Sequence, residues 1–188
     1  MPCFRVDFGP YLNKLGLAGT AAEVGVCRGE FSHVLLSTWA GQKLISVDPW
    51  SVQPDGALQG AVCQAEHEAN YRAAVGLLQQ HGQRSLILRT TSEIAALNII
   101  NESLDFCYID AGHAVDAVTK DLNLWWPKLK VGGVFAGHDY VQDGRYSVGA
   151  GLCDFGVRGA VTPFAALYGL EISTTLEPDW PSWYVHKR

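Results

Sequence analysis

Strand-like apolar runs alternate with longer helix-like runs along nearly the whole chain, and few folds accept that alternation. Strand-like stretches are read at Thr20–Val26, Lys43–Asp48, Ser85–Arg89, Leu104–Asp110 and Val134–His138. Helix-like stretches follow at about 30–40, 66–80, 92–100, 114–126 and 157–168. In the first helix Phe31, Val34, Leu35 and Trp39 share one face, and in the fourth Val118, Leu122, Trp125 and Leu129 do. Leu104–Asp110 is apolar enough to be buried on both faces, as a central parallel strand is. Two last strands, Leu170–Thr175 and Trp183–His186, are separated by a connection short enough for a hairpin. The expectation is a single α/β domain over residues 1–188, mainly parallel, with an antiparallel tail.

Composition removes several classes of function. Net charge is −5, from 14 basic and 19 acidic residues with no basic run, so a nucleic-acid partner is not expected. Apolar runs fall far short of the roughly 18 residues that span a bilayer, and the N-terminus does not read as a signal peptide. The five cysteines, Cys3, Cys27, Cys63, Cys107 and Cys153, are scattered and form no C-x-x-C pair. They read as reduced thiols of a cytoplasmic protein.

Ligands of open α/β sheets bind beyond the carboxyl ends of the strands. Here those ends carry Glu23-x-Gly25-x-x-x-Gly29, Asp48, Thr90-Thr91-Ser92, Asp110-Ala-Gly-His113 and His138-Asp139-Tyr140. Together they describe one long cleft. The glycines allow close backbone approach, and free N–H groups at the following helix start can hold a carboxylate. Glu23 can hold an ammonium. An amino-acid headgroup carries both charges. The spacing fits neither the dinucleotide fingerprint, which needs glycine at Cys27, nor a P-loop, which needs Gly-Lys at Glu30-Phe31. Asp48 ends the second strand, where a carboxylate accepts both ribose hydroxyls. Alternatively it caps a turn before Pro49. Trp50 is read as a cover for an adenine face or as a core lid. Thr91 and Ser92 are candidates for the base edge, with Ser92 equally readable as a helix N-cap.

These residues resemble the class I S-adenosylmethionine-dependent methyltransferases over about residues 20–187. AEVGVCRGEFS resembles the first family motif and LISVDPW the second. The stretch YIDAGHAVDAVTKDLNLWWPKLKVGGVFAGHDY and the ending WPSWYVHK resemble the small subgroup related to macrolide and sugar O-methyltransferases. The resemblance implies a Rossmann-like, doubly wound seven-stranded sheet of order 3-2-1-4-5-7-6 with strand 7 antiparallel. It implies S-adenosyl-L-methionine as cofactor. Glu23, Gly25, Val26, Gly29, Phe31 and Ser32 would lie along the methionine end. Asp48, Pro49 and Trp50 would lie at the ribose, Thr91 and Ser92 near the adenine, and Asp110, Ala111 and His113 by the sulfonium.

The departure is in the metal site: the better-known metal-dependent O-methyltransferases have two adjacent acidic or amide residues after strand 5, where this chain has His138-Asp139. Two uses of the polar cluster stay open. Asp110, His138 and Asp139 can be ligands of a divalent metal (magnesium, manganese, iron or zinc), with His113 as general base. Alternatively no metal is used, and His113 or His138 is the base, oriented by Asp139 or Asp110. Tyr140, Arg145, Tyr146 and Phe155 are candidate contacts to the acceptor, and loops 51–65 and 140–155 flank the cleft. Trp180 and Trp183 read as core. A shallow acceptor pocket, or one completed by a second copy in a homo-oligomer, follows from the absence of a long N-terminal extension. The expected activity is O-methylation of a small-molecule hydroxyl. Metal-dependent chemistry of another kind on the same fold, and a non-catalytic nucleoside-binding module, are the alternatives.

Overall fold

A computed structural model describes residues 1–52, 63–148 and 151–188. Seven strands form the main sheet. In chain order they include β1 (Thr20–Val24), β2 (Lys43–Asp48), β3 (Ser85–Arg89), β4 (Leu104–Ile109) and β5 (Leu129–Gly137). β6 (Gly144–Val148) and β7 (Gly151–Phe155) pair only with each other, and β8 (Ser173–Thr174) and β9 (Trp183–His186) complete the main sheet. Its order is β3-β2-β1-β4-β5-β9-β8. The first five strands run parallel, and β9 is antiparallel to both β5 and β8. With the separate β6-β7 hairpin set aside, this is the order 3-2-1-4-5-7-6 implied by the sequence resemblance.

Helices cover both faces. α1 (Phe8–Lys14), α2 (Glu30–Thr38) and α3 (Gln64–Leu78) lie on one side, and α4 (Ser92–Leu97), α5 (Val115–Trp125) and α6 (Val157–Leu167) on the other. The alternation of strand side chains explains the two cores. Ala21, Leu44, Phe106, Val134 and Ala136 pack with Phe8, Leu12, Phe31 and Leu35 on the first side. Ala22, Val24, Val47, Cys107, Ile109 and Phe135 pack with Val118, Leu122, Trp125 and Phe164 on the second. Phe8 joins the first core through rings of Phe106, Tyr108 and Tyr184 at 5.3, 5.7 and 5.9 Å.

The structure differs from the sequence reading at identifiable places. Residues 140–155 were expected as a loop, but 144–148 and 151–155 pair as a hairpin, with Arg145 opposite Asp154. Its glycines obscure the alternation that would announce it. β5 begins at Leu129 rather than Val134. Gly132, at φ 82°, carries the strand through an irregularity where Leu104 faces Leu129 but Phe106 faces Val134. The short α1 carries only a weak sequence signal. The N-cap of α4 is Thr91, whose side chain accepts from Ile94 N–H, and not Ser92. Of the proposed flanking loop 51–65, residues 53–62 lie outside those described.

Candidate active site

A cleft of about 620 Å³ opens beyond the carboxyl ends of β1, β2, β3 and β4. Glu23, Gly25, Val26, Phe31, Asp48, Pro49, Thr91, Ser92, Asp110, Ala111 and His113 all line it. Register explains the convergence: in the parallel ladder Val24 is level with both Val47 and Ile109, so the polar residues that follow emerge at one edge. Gly25 makes the close approach possible. Its φ is +90°, and a Cβ there would lie 2.0 Å from the Asp110 carbonyl oxygen.

The acidic end is tightly organised. Glu23 is 1% exposed, accepts the Ser32 hydroxyl, and is pushed up to about 8. Burial is the chief cause; Asp110 and Asp48 add to it, while Arg5 and the Ser32 hydrogen bond oppose it. At neutral pH this carboxyl is therefore largely protonated until a cation joins it. Asp48 accepts backbone N–H groups from Val26 and Cys27, each at 3.0 Å on Oδ2, and from Trp50 at 2.7 Å on Oδ1. It pins the glycine loop and still lines the cleft. A carboxylate has about four acceptor positions, which leaves capacity for a hydroxyl donor.

The opposite end holds a histidine–aspartate–histidine arrangement. His113 Nε2 is 2.9 Å from Asp139 Oδ2, and His138 Nδ1 is 2.8 Å from Asp139 Oδ1. Asp139 is buried with φ at 58°, a left-handed conformation that a non-glycine residue adopts at a strain cost. Burial disfavours its charged form, but hydrogen bonds from both imidazoles more than offset this and hold the carboxyl well below the usual range. Burial likewise opposes protonation of His113, and Asp139 and Asp110 outweigh it, so this imidazole titrates above its ordinary value. Its ring lies 4.5 Å from that of Phe155.

Several expected site residues fall elsewhere. Trp50 is not an adenine cover: it is 1% exposed, and its indole N–H donates to the Cys27 carbonyl at 2.7 Å. Ser32 is fully buried between Glu23 and Ser46 and does not line the cleft. Gly29 instead supplies the left-handed turn (φ +85°) against α3. His138 and Asp139 line a small inner cavity behind the cleft, so His113 is the imidazole at the cleft wall. Arg145 pairs with Asp154 across the exposed hairpin at 2.8 Å. Tyr140 sits 3.1 Å from the Thr162 hydroxyl, and Tyr146 packs its ring on Phe155 and Trp180. Trp183, expected as core, is core, at 1% exposed.

Among the cleft residues that the sequence reading does not name, Arg5 and Asp121 bond to predicted site residues. Arg5 reaches in from the N-terminal segment, its Nη2 lying 2.6 Å from Asp110 Oδ2. Asp121 stands on α5, accepts the Ser92 hydroxyl, and is raised to about 6, mainly by burial. Asp121 has a sequence signal: it falls one residue before Leu122, on the inward stripe, where a carboxylate is out of place. Arg5 has none beyond being a lone charge between Phe4 and Val6.

Among the described residues, one group has metal-ligand proximity: ligand atoms of Asp110, His113 and Asp139 all lie within 4.8 Å of one another. The metal set expected from sequence named His138, and the geometry gathers His113 in its place. The fit to an ion is incomplete, because both oxygens of Asp139 already face imidazole nitrogens. No helix among the described residues is long and apolar enough to cross a membrane.

Fold and cleft together define a doubly wound α/β domain with its ligand space at the carboxyl edge of a seven-stranded sheet. A family model described as a methyltransferase domain matches residues 22–140, and the chain belongs to that family. A search of curated proteins by sequence gives no match. Among solved structures, a Burkholderia thailandensis 1,6-didemethyltoxoflavin N1-methyltransferase, with 1,6-didemethyltoxoflavin and S-adenosylhomocysteine bound, is similar at TM-score 0.63 and 15% identity. The match covers 97% of this chain and 76% of that one. A Bacillus cereus O-methyltransferase in complex with SAH is similar at TM-score 0.62 and 12% identity, over 97% of this chain and 80% of that one. A Streptococcus thermophilus rRNA methylase reaches TM-score 0.62 at 10% identity, over 96% and 93%. At such identities the likeness is one of fold, and these relatives differ in what they methylate.

Proposed function

We propose that this protein transfers a methyl group from S-adenosylmethionine to a hydroxyl of a small molecule, with His113 as general base. The observation that carries the reading is the convergence of Glu23, Asp48, Asp110 and His113 on one cleft. Its volume of about 620 Å³ falls within the usual range for small-molecule sites, about 300–1,000 Å³. The buried Glu23 fits the nucleoside, because burial holds its carboxyl largely neutral and an ammonium beside it would favour the charged form. Asp48 stands where ribose hydroxyls would donate, and Thr91, Ser92 and Asp121 line the part of the cleft left for the base.

The sulfonium of the cofactor supplies an activated methyl and a good leaving group. The protein's task is to orient the acceptor and take its proton. Asp139 holds His113 through Nε2, which leaves Nδ1 as the proton acceptor. His138 braces the other oxygen of Asp139, so the carboxylate cannot swing away from His113. Phe155, against the His113 ring, offers an apolar wall for the acceptor. The net acidity of the chain favours a small acceptor over nucleic acid.

A second reading follows from the proximity of Asp110, His113 and Asp139: a divalent cation held there would orient a hydroxyl, and His113 would then be a ligand. Calorimetry with S-adenosylhomocysteine, then an acceptor screen read out by S-adenosylhomocysteine release, tests the first reading. Micromolar binding and turnover with hydroxyl-bearing compounds are expected. Absence of nucleoside binding would overturn it.

A further inference from the structure

Arg5 is held with unusual care for a residue so near the chain start. The Asp7 carboxylate accepts N–H groups of Cys3 and Phe4 at 3.0 and 2.9 Å. Leu176 N–H donates to the Cys3 carbonyl at 2.7 Å, and Arg5 N–H donates to Glu177. The side chain then crosses the cleft wall, with its guanidinium carbon 4.4 and 4.9 Å from the ring centres of Phe31 and Tyr108. Among the described residues, the guanidinium has one hydrogen-bond partner, Asp110, through Nη2. Nε is buried with none. An unpaired buried donor is costly, and the planar fork of arginine suits a carboxylate taken through two nitrogens.

The neighbours of this fork define what it can take. Arg5 lies close enough to Glu23 to favour its charged form, but burial outweighs that, so the carboxyl ionises fully only when a further cation joins it. A guanidinium beside a carboxyl presents opposite charges to the carboxylate and ammonium of an α-amino acid. The other anion receptor nearby, the start of α2, carries Glu30 as its first residue, and Glu30 lines the same cleft. Glu30, exposed and 3.3 Å from Arg28, makes that end less suited to a second carboxylate than the Arg5 fork.

We propose that Arg5 binds the carboxylate at the amino-acid end of the nucleoside while Glu23 takes the ammonium. This rests on the cofactor reading above. Turning the fork toward a carboxylate pairs the nitrogens that are now idle and loosens the hold on Asp110, which is freed to face the reacting end of the cleft. The N-terminal segment thereby becomes a wall of the binding site.

The test compares S-adenosylhomocysteine with its decarboxylated analogue, the same thioether ending in a primary amine, by calorimetry on the full chain. The native protein should prefer the carboxylate form by about tenfold or more. Arg5→Gln should lose that preference by weakening only the carboxylate form, and Arg5→Lys should keep a reduced preference. Equal binding of the two compounds by the native protein overturns the inference whether or not the variants fold. So does a preference that Arg5→Gln or Arg5→Lys leaves unchanged, a result that would point Arg5 toward an acidic acceptor instead. If the native protein binds neither compound, the cofactor reading falls, and this assignment falls with it.

Discussion

His113 Nε2 and Asp139 Oδ2 lie 2.9 Å apart, and the aspartate that makes this contact holds a left-handed backbone at the end of β5. Strain at a non-glycine residue persists only where surrounding contacts fix it, and the two imidazoles provide those contacts. If His113 is the base, Asp139→Asn should lower kcat by about 10²–10⁴ while leaving S-adenosylhomocysteine affinity within about threefold. Turnover close to native in the variant would remove the base assignment.

The pH profile should carry the same signature. The charged form of His113 is favoured by Asp139 and Asp110 over the opposing effect of burial. A base must be neutral, so kcat/KM should rise with pH through an apparent value above 6.5. Stability contributed by the charged imidazole runs the opposite way: it is present below the ordinary value and fades as pH rises through the raised one. A rate that falls over that limb would contradict the assignment.

Glu23 should make the ligand-free protein less stable as pH rises. Its carboxyl keeps a proton up to about 8 in the fold but loses it near 4.5 when unfolded. Between those values the folded state binds more protons, so unfolding free energy declines with pH. Glu23→Gln lacks this penalty. Its melting temperature relative to native should climb between pH 5 and pH 8, by about 2–4 °C per kcal/mol recovered. Saturating S-adenosylhomocysteine should reverse the order, because only the native residue gains the ammonium. Parallel melting curves for the two proteins across this range would refute the account.

Asp48→Ala should weaken S-adenosylhomocysteine binding by about 1–3 kcal/mol, through lost charge-assisted hydrogen bonds. It should also loosen the glycine loop, which loses the acceptor of Val26 and Cys27 N–H. Unaltered calorimetric affinity would leave Asp48 as a loop anchor alone.

Chelation separates the two catalytic readings. With His113 acting as an unmetallated base, turnover should persist in excess chelator. Loss of activity restored by one divalent ion would assign Asp110, His113 and Asp139 as ligands instead.

The order of the sheet was legible before any coordinates, because strand and helix periods alternate and the resemblance supplied the permutation. Strand-end chemistry marked Glu23, Asp48 and Asp110, and all three line the cleft. Sequence left Trp50 open: an aromatic after Asp48-Pro49 reads alike whether it faces a base or the core, and its packing against Val26 and against Tyr71 and Ala74 of α3 decided for the core lid. Sequence misled at 140–155, where glycines hid a hairpin whose pairing is local but whose pattern is weak.

Local sequence determined what depends on neighbours along the chain: which segments pleat, which coil, and which ends are polar. Tertiary structure alone decided which of two histidines meets the cleft, since His113 and His138 have similar strand-end contexts and differ in the side of Asp139 they occupy. It alone brought Arg5 to Asp110, 105 positions away in the chain, because only closure of the sheet and the anchoring of residues 3–5 to 176–177 put them side by side. Periodicity is a short-range property of a polypeptide. Charge pairing across a cleft depends on distances that no sequence interval encodes.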